Sequence, residues 1–279
     1  MHEFAKKCVQ YVLKWLAKFY IWRIKPHIIV IAGTTGRHWI KEAVSEALKE
    51  KNFPVRVNKK NFNAELGLPL SILGLISNDT KNQNIQFPIK TNFFISWLKI
   101  LYQAAKIAFR HKGPTLKQFL VLEMAIDRPD NMDYLISIVK PQTIILTTIT
   151  MIYAENFENL DEIALEYKKL IKALPWNGLA ILNFDDERVK KLSESCERKI
   201  ISYGFSKEAD FQAKNVKKIL DGQEVEILRP RESASSPRQS AILKIKRFGN
   251  HHIYAALVKE IIKEHFKIST LDFFKSLNE

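Results

Sequence analysis

The 279-residue chain is 46% hydrophobic with a formal net charge of +14, which gives enough apolar material for one large α/β domain or two small ones and favours anionic partners: nucleotides, phosphorylated sugars or an acidic membrane surface. No basic run interleaved with aromatics matches a nucleic-acid module, so nucleic acid is not an expected partner. Cys8 and Cys196 stand far apart, without the paired spacing of a zinc site or a disulfide framework, and read as the reduced thiols of a cytoplasmic protein.

Residues 3–23 read as a helix in which Phe4, Val9, Leu13, Trp15, Leu16, Phe19, Tyr20 and Trp22 are interspersed with Lys6, Lys7, Lys14, Lys18 and Arg23. The cations are too closely spaced for a spanning segment, and no small-residue cleavage site follows. Two roles stay open: a helix lying in a membrane interface, at the inner face of the cell membrane, or a helix packed on the flank of a sheet. An apolar, β-branched run at residues 27–32 then has the character of a strand buried on both faces. It is followed by the turn Gly33-Thr34-Thr35-Gly36 and a helix-period segment at 37–51. Such a junction gathers backbone N–H groups and the positive end of a helix dipole at one point, the physical basis of phosphate binding. Its plainer role is to close a tight βα turn. The spacing is nearly that of a P-loop, where a lysine for phosphate and a hydroxyl for Mg²⁺ come next. Here Arg37 and His38 hold those places; Arg37 meets phosphate as a planar fork, and His38 is a poor ligand for a hard, oxygen-seeking cation.

Residues 54–57 read as a short strand, 60–73 as a loop and 77–91 as polar and irregular. A strongly apolar helix spans 92–110, carrying Phe93, Phe94, Trp97, Leu98 and Leu101 with Lys99, Lys106 and Arg110; it covers the sheet or faces a membrane beside the first helix. From there strands (119–123, 143–148, 179–183, 199–203) alternate with helices (131–140, 160–174), the pattern of a parallel sheet covered on both faces. Glu123 and Asn183 end their strands where doubly wound sheets place ligand sites. Segments 225–228 and 242–246 flank a Pro/Ser/Arg-rich excursion, and helices follow at 249–266 and 271–277. His251-His252 reads as a cap and a packed ring, and Asp185-Asp186 as a turn and helix N-cap.

Taken together, these motifs resemble the central, ATP-binding domain of the Mur ligase family over residues 25 to about 266. Residues 32–38 are similar to the family's Thr-Gly-Ser-x-Gly-Lys-Thr loop, and 61–70, with Asn61 and Asn63, to its Asn-x-Asn-Asn-x-Ile-Gly-x-Pro-Leu loop. Leu122-Glu123-Met124 matches Leu-Glu-Met-Gly, Leu182-Asn183-Phe184-Asp185-Asp186 matches Leu-Asn-Ala-Asp-Asp, and residues 249–256 match a Gly-x-His-Asn-x-Tyr-Asn-Ala helix start. The resemblance implies a three-layer, P-loop-NTPase-like, mostly parallel sheet with helices on both faces, a small antiparallel portion near residues 210–247, and a division into an N-terminal helix (1–24) and an ATP-binding domain (25–279). It implies ATP held by Gly33, Thr34, Thr35, Gly36, Arg37, His38, Asn183 and His252, Mg²⁺ on Glu123, and a UDP-sugar peptide at Asn61 and Asn63.

The reaction so implied is ATP-dependent amide-bond formation in peptidoglycan precursor synthesis, the addition of D-alanyl-D-alanine to UDP-N-acetylmuramoyl tripeptide being the nearest match. The sequence departs from the family at Arg37 and His38, at Tyr153 and Tyr167 in place of a metal-facing histidine and a carbamylated lysine, and at Ala64 and Ala125. Full members also carry an N-terminal UDP-sugar domain and a C-terminal closing domain, which a separate chain is expected to supply. These departures set a second reading beside the ligase: a non-catalytic nucleotide-binding or membrane-associated scaffold.

Overall fold

The computed structural model describes residues 2–58, 65–75, 93–110, 118–151, 156–230 and 238–266. Among the described residues nine strands form one sheet: β1 (His27–Ala32), β2 (Val55–Val57), β3 (Phe119–Glu123), β4 (Thr143–Leu146), β5 (Leu179–Asn183), β6 (Lys199–Gly204), β7 (Phe211–Ile219), β8 (Gly222–Leu228) and β9 (Ser240–Ile245). The order is β2-β3-β1-β4-β5-β6-β7-β8-β9, parallel as far as β7 and antiparallel from β7 to β9. The expected antiparallel portion is therefore a continuation of the main sheet. Because β1 lies between β3 and β4, the connections leave it in opposite directions, which opens a crevice at its carboxyl end.

Alternation along the central strands builds two cores. Ile28, Val30 and Ala32 of β1 face α1 (His2–Ile24), α3 (Gly67–Ile72), α4 (Phe93–Phe109), α5 (Asn131–Ile138), α6 (Leu160–Lys172) and α7 (Glu187–Ser193). Ile29 and Ile31 face α2 (Arg37–Lys49) and α8 (Asn250–His265), which pack together. The result is three layers. Leu13, Leu16, Ala17 and Tyr20 bury one face of α1 in the first core, so this helix is a wall of the domain.

Besides shifts of one to three residues at other element ends, such as β8 beginning at Gly222 and α5 ending at Ile138, three departures from the sequence reading bear on the site and the sheet. The loop expected at 60–73 contains α3, whose Leu68, Leu70 and Ile72 are buried; its Pro69 stands in the first turn, where no helical carbonyl awaits its missing N–H. Strand β4 ends at Leu146, two residues early, because Thr147 and Thr148 leave the sheet to meet the glycine turn. Strand β7 went unread from its own residues, since Lys214, Lys217 and Lys218 break the apolar alternation around a bulge. The helix expected at 271–277 lies outside the described residues.

Candidate functional site

The register brings Glu123 beside Ile31, Leu146 beside Ala32, and Asn183 beside Tyr203, so the glycine turn and both strand-end polar groups share the carboxyl edge of the sheet. Gly33 adopts φ 119°, and a Cβ there would come within 2.1 Å of Thr147 Oγ1, so both conformation and space demand glycine. Gly36, at φ 79°, precedes α2 with open space around it. The first helical bond of α2 runs from Ile40 N to Gly36 O, which leaves the amides of Arg37, His38 and Trp39 without an intrahelical acceptor.

The turn is zipped to the end of β4. Thr34 N donates to Thr148 O at 2.7 Å, and Thr34 Oγ1 meets Thr148 O and Thr150 Oγ1 at 2.9 and 2.8 Å. Thr35 Oγ1 lies 2.6 Å from Thr148 Oγ1, while Thr147 Oγ1 donates to Thr35 O at 2.6 Å. Both threonine hydroxyls of the turn are thus engaged within the protein.

Arg37 folds back over the turn: its Nη1 donates to Gly33 O and its Nε lies 3.2 Å from Glu123 Oε1. One helical turn on, Lys41 is 4% exposed and places Nζ 3.0 Å from Glu123 Oε2 and 2.9 Å from Asn58 O. The Asn58 amide closes the cluster on the backbone of Glu123, accepting from its N at 2.8 Å and donating to its O at 2.9 Å. Burial works to raise the Glu123 carboxyl, but Lys41 and then Arg37 outweigh it and hold the group below the usual carboxylate range. Mg²⁺ does not fit this arrangement. Each Glu123 oxygen already faces a cation, the nearby hydroxyls are bonded, and among the described residues no three His, Cys, Asp or Glu side chains converge. His38 pairs with Glu42 one turn along α2, at 3.3 Å.

Across the turn the chemistry changes. A cavity of about 350 Å³ opens between the glycine turn and the start of α8, lined by Thr35, Gly36, Trp39, Thr147, Asn183 and Tyr254 among others. Asn183 is 1% exposed; its Oδ1 accepts from Asp185 N at 3.1 Å, which fixes Nδ2 as a donor, and that buried Nδ2 has no partner. Tyr254 donates to Asp185 Oδ2 at 2.9 Å, and the same carboxylate receives the amides of Phe205 and Ser206. His251 lines this cavity, whereas His252, expected at the nucleotide, packs edge-on against Trp39 with ring centroids 4.5 Å apart and lines a neighbouring groove with Arg247, whose guanidinium lies over the Trp39 ring at 4.9 Å. Burial, then His251 and Arg247, lower the His252 pKa and favour a neutral ring. A planar base with an acceptor edge fits this end of the site: a donor awaits it, and aromatic rings stand beside it.

Asn61, Asn63, Ala64 and Tyr153 lie outside the described residues. Tyr167 is buried in the first core. Asp186 caps α7 as expected, accepting from Arg188 N and Val189 N. The sequence reading had missed Lys41, Asn58, Trp39 and the Tyr254–Asp185 pair.

The family profile described as Mur ligase middle domain matches residues 101–259, more than half of the chain. The chain belongs to the Mur ligase family. Among similar Mur ligases are the UDP-N-acetylmuramoyl-tripeptide–D-alanyl-D-alanine ligases of Haemophilus influenzae, 20% identical over 91% of this chain and 46% of that protein, and of Buchnera aphidicola, 23% identical over 84% and 41%. Solved structures with the same fold include MurF from Acinetobacter baumannii (TM-score 0.68, 16% identity, 97% of this chain and 49% of that one) and MurF ligase from Thermotoga maritima in complex with ADP (TM-score 0.67, 18% identity, 94% and 51%). The chain spans about half the length of these relatives.

Proposed function

We propose that this chain is an adenine-nucleotide-binding unit of the Mur ligase type, serving peptidoglycan precursor synthesis, whose phosphate end is neutralised by its own side chains in place of Mg²⁺. The observation that carries the reading is the unpartnered amide of Asn183, buried at the carboxyl end of β5 and facing a cavity bounded by the glycine turn. A buried donor without an acceptor costs about 1–3 kcal/mol, a cost that a ligand acceptor removes.

In this reading the amides at the start of α2 receive the phosphates, Asn183 meets the base edge, and Trp39, His251 and Tyr254 wall the base, His252 facing the neighbouring groove. ATP, when bound, supplies the phosphoryl group that activates a substrate carboxylate in the relatives' type of reaction. The charges of Arg37 and Lys41 exceed that of Glu123 by one, so the cluster favours an anion without a metal. Kinship with D-alanyl-D-alanine ligases supports a UDP-sugar peptide as the substrate class.

Calorimetric titration with ADP and ATP, each in excess Mg²⁺ and in chelator, tests the reading. Binding in both buffers, weakened about tenfold by Asn183→Ala, is the expected result. No heat and no thermal shift at millimolar nucleotide in either buffer would refute it. Binding that requires Mg²⁺ would return the chain to the metal-dependent ligases.

A further inference from the structure

Helices α1 and α4 pack against each other, and their carboxyl ends are joined by Arg23, which donates to Ile107 O at 3.3 Å and to Arg110 O. Each buries one face and leaves a stripe of large side chains in solvent at helical spacing. On α1 the stripe is Tyr11, Trp15 and Trp22; on α4 it is Leu98, Tyr102 and Phe109, with Trp22 69% and Tyr102 71% exposed. Phe19 unites the stripes, stacking on Trp15 at 5.7 Å and meeting Trp22 and Phe109 at 5.8 and 4.8 Å. The eleven-residue reach of each stripe makes a face roughly 16 Å long and two helices wide. Exposed Lys18, Lys99 and Lys106 lie on the same two helices; α4 has no carboxylate and α1 has one, Glu3, near its start. No described helix is long and apolar enough to cross a membrane.

We infer that the joint α1–α4 face lies on an anionic lipid leaflet. Aromatic rings with polar edges insert at the headgroup level, and the lysines pair with lipid phosphates, the combination that holds an interfacial helix pair without a span. Charge selects this occupant: a second copy of the chain would bring the same lysines against themselves, whereas an anionic surface neutralises all of them. The contact would set the opposite, nucleotide-bearing part of the sheet edge free for soluble ligands, and it stands independently of the nucleotide reading.

The test is sedimentation of the full chain with vesicles of phosphatidylglycerol and phosphatidylethanolamine, and with phosphatidylcholine alone. Expected are partition at least about tenfold stronger on the anionic vesicles, with a blue shift of tryptophan emission, and loss of about tenfold in the double variant Trp15→Ser/Trp22→Ser. The triple variant Lys18→Glu/Lys99→Glu/Lys106→Glu should lose on the order of a hundredfold. Because all these side chains are exposed, the thermal midpoint of both variants should match the parent, which separates lost binding from lost folding. Equal partition on neutral vesicles, or binding kept by both variants, would overturn the inference. So would a concentration-dependent dimer that the tryptophan variant abolishes while vesicles bind neither protein.

Discussion

The two ends of the candidate site differ in how their polar groups are satisfied. At the β3 end, Glu123, Lys41, Arg37 and Asn58 answer one another, each carboxylate oxygen meeting a cation. At the β5 end, Asn183 presents a buried amide with no acceptor to a cavity flanked by rings. A closed network stabilises the fold and leaves no carboxylate oxygen for a metal, while its one excess positive charge still attracts an anion; an open donor contributes little until a ligand arrives. The same sheet edge thus holds one end built for stability and one built for recognition, and that division separates this chain from a site in which a metal would tie both ends together.

Breaking the closed end should give the largest effect. Glu123→Ala leaves Lys41 buried with its charge unpaired, and urea denaturation should show a loss of about 3–5 kcal/mol; a loss under 1 kcal/mol would mean that the network contributes nothing. The hinge between the ends comes next. Gly33→Ala drives a methyl into Thr147 at a left-handed backbone angle and should cost about 2–4 kcal/mol, whereas Gly36→Ala, strained but uncrowded, should cost only about 1 kcal/mol in the same measurement. Asn183→Ala should divide the effects differently, lowering nucleotide affinity about tenfold by calorimetry with a smaller change in stability. If stability falls and affinity does not, the amide belongs to the fold and the contrast between the ends fails.

The smallest effect concerns acid. The Glu123 carboxyl is held below its ordinary value, so its contribution to stability is complete above the ordinary carboxylate range, near pH 4.3, and is lost as pH falls below it. Thermal midpoints recorded from pH 7 to pH 3 should therefore fall less steeply for Glu123→Gln than for the parent. Parallel curves would show that other carboxylates carry the acid limb.

What the sequence disclosed follows from how each feature is encoded. Strands β3 and β5 were legible to the residue because they are apolar runs buried on both faces, and Glu123 and Asn183 were legible because each breaks such a run at its carboxyl end. Helix α3 was hidden by Gly67 and Pro69, which read as punctuation, and β7 by lysines that point to solvent along half its length. Lys41 was hidden for a different reason. It sits among Lys and Glu on an amphipathic helix and looks like any solvated cation; only the placement of β3 beside β1 brings it to Glu123, 82 residues on. Asn58 follows the same rule across 65 residues. Tyr254 lay inside a stretch already matched to the family, but its role depends on Asp185, a pairing that no local pattern states.

The packing of α1 has a consequence for how the chain is made. Its anchor Arg23 reaches carbonyls 84 and 87 residues downstream. At synthesis rates of ~5–20 residues per second, the first helix emerges from the ribosome on the order of 4–17 s before α4 exists to receive it. Through that interval Leu13, Leu16 and Tyr20 are bare beside Trp15 and Trp22, and a nascent chain in this state will seek shelter on a chaperone or a bilayer before it finds its own sheet.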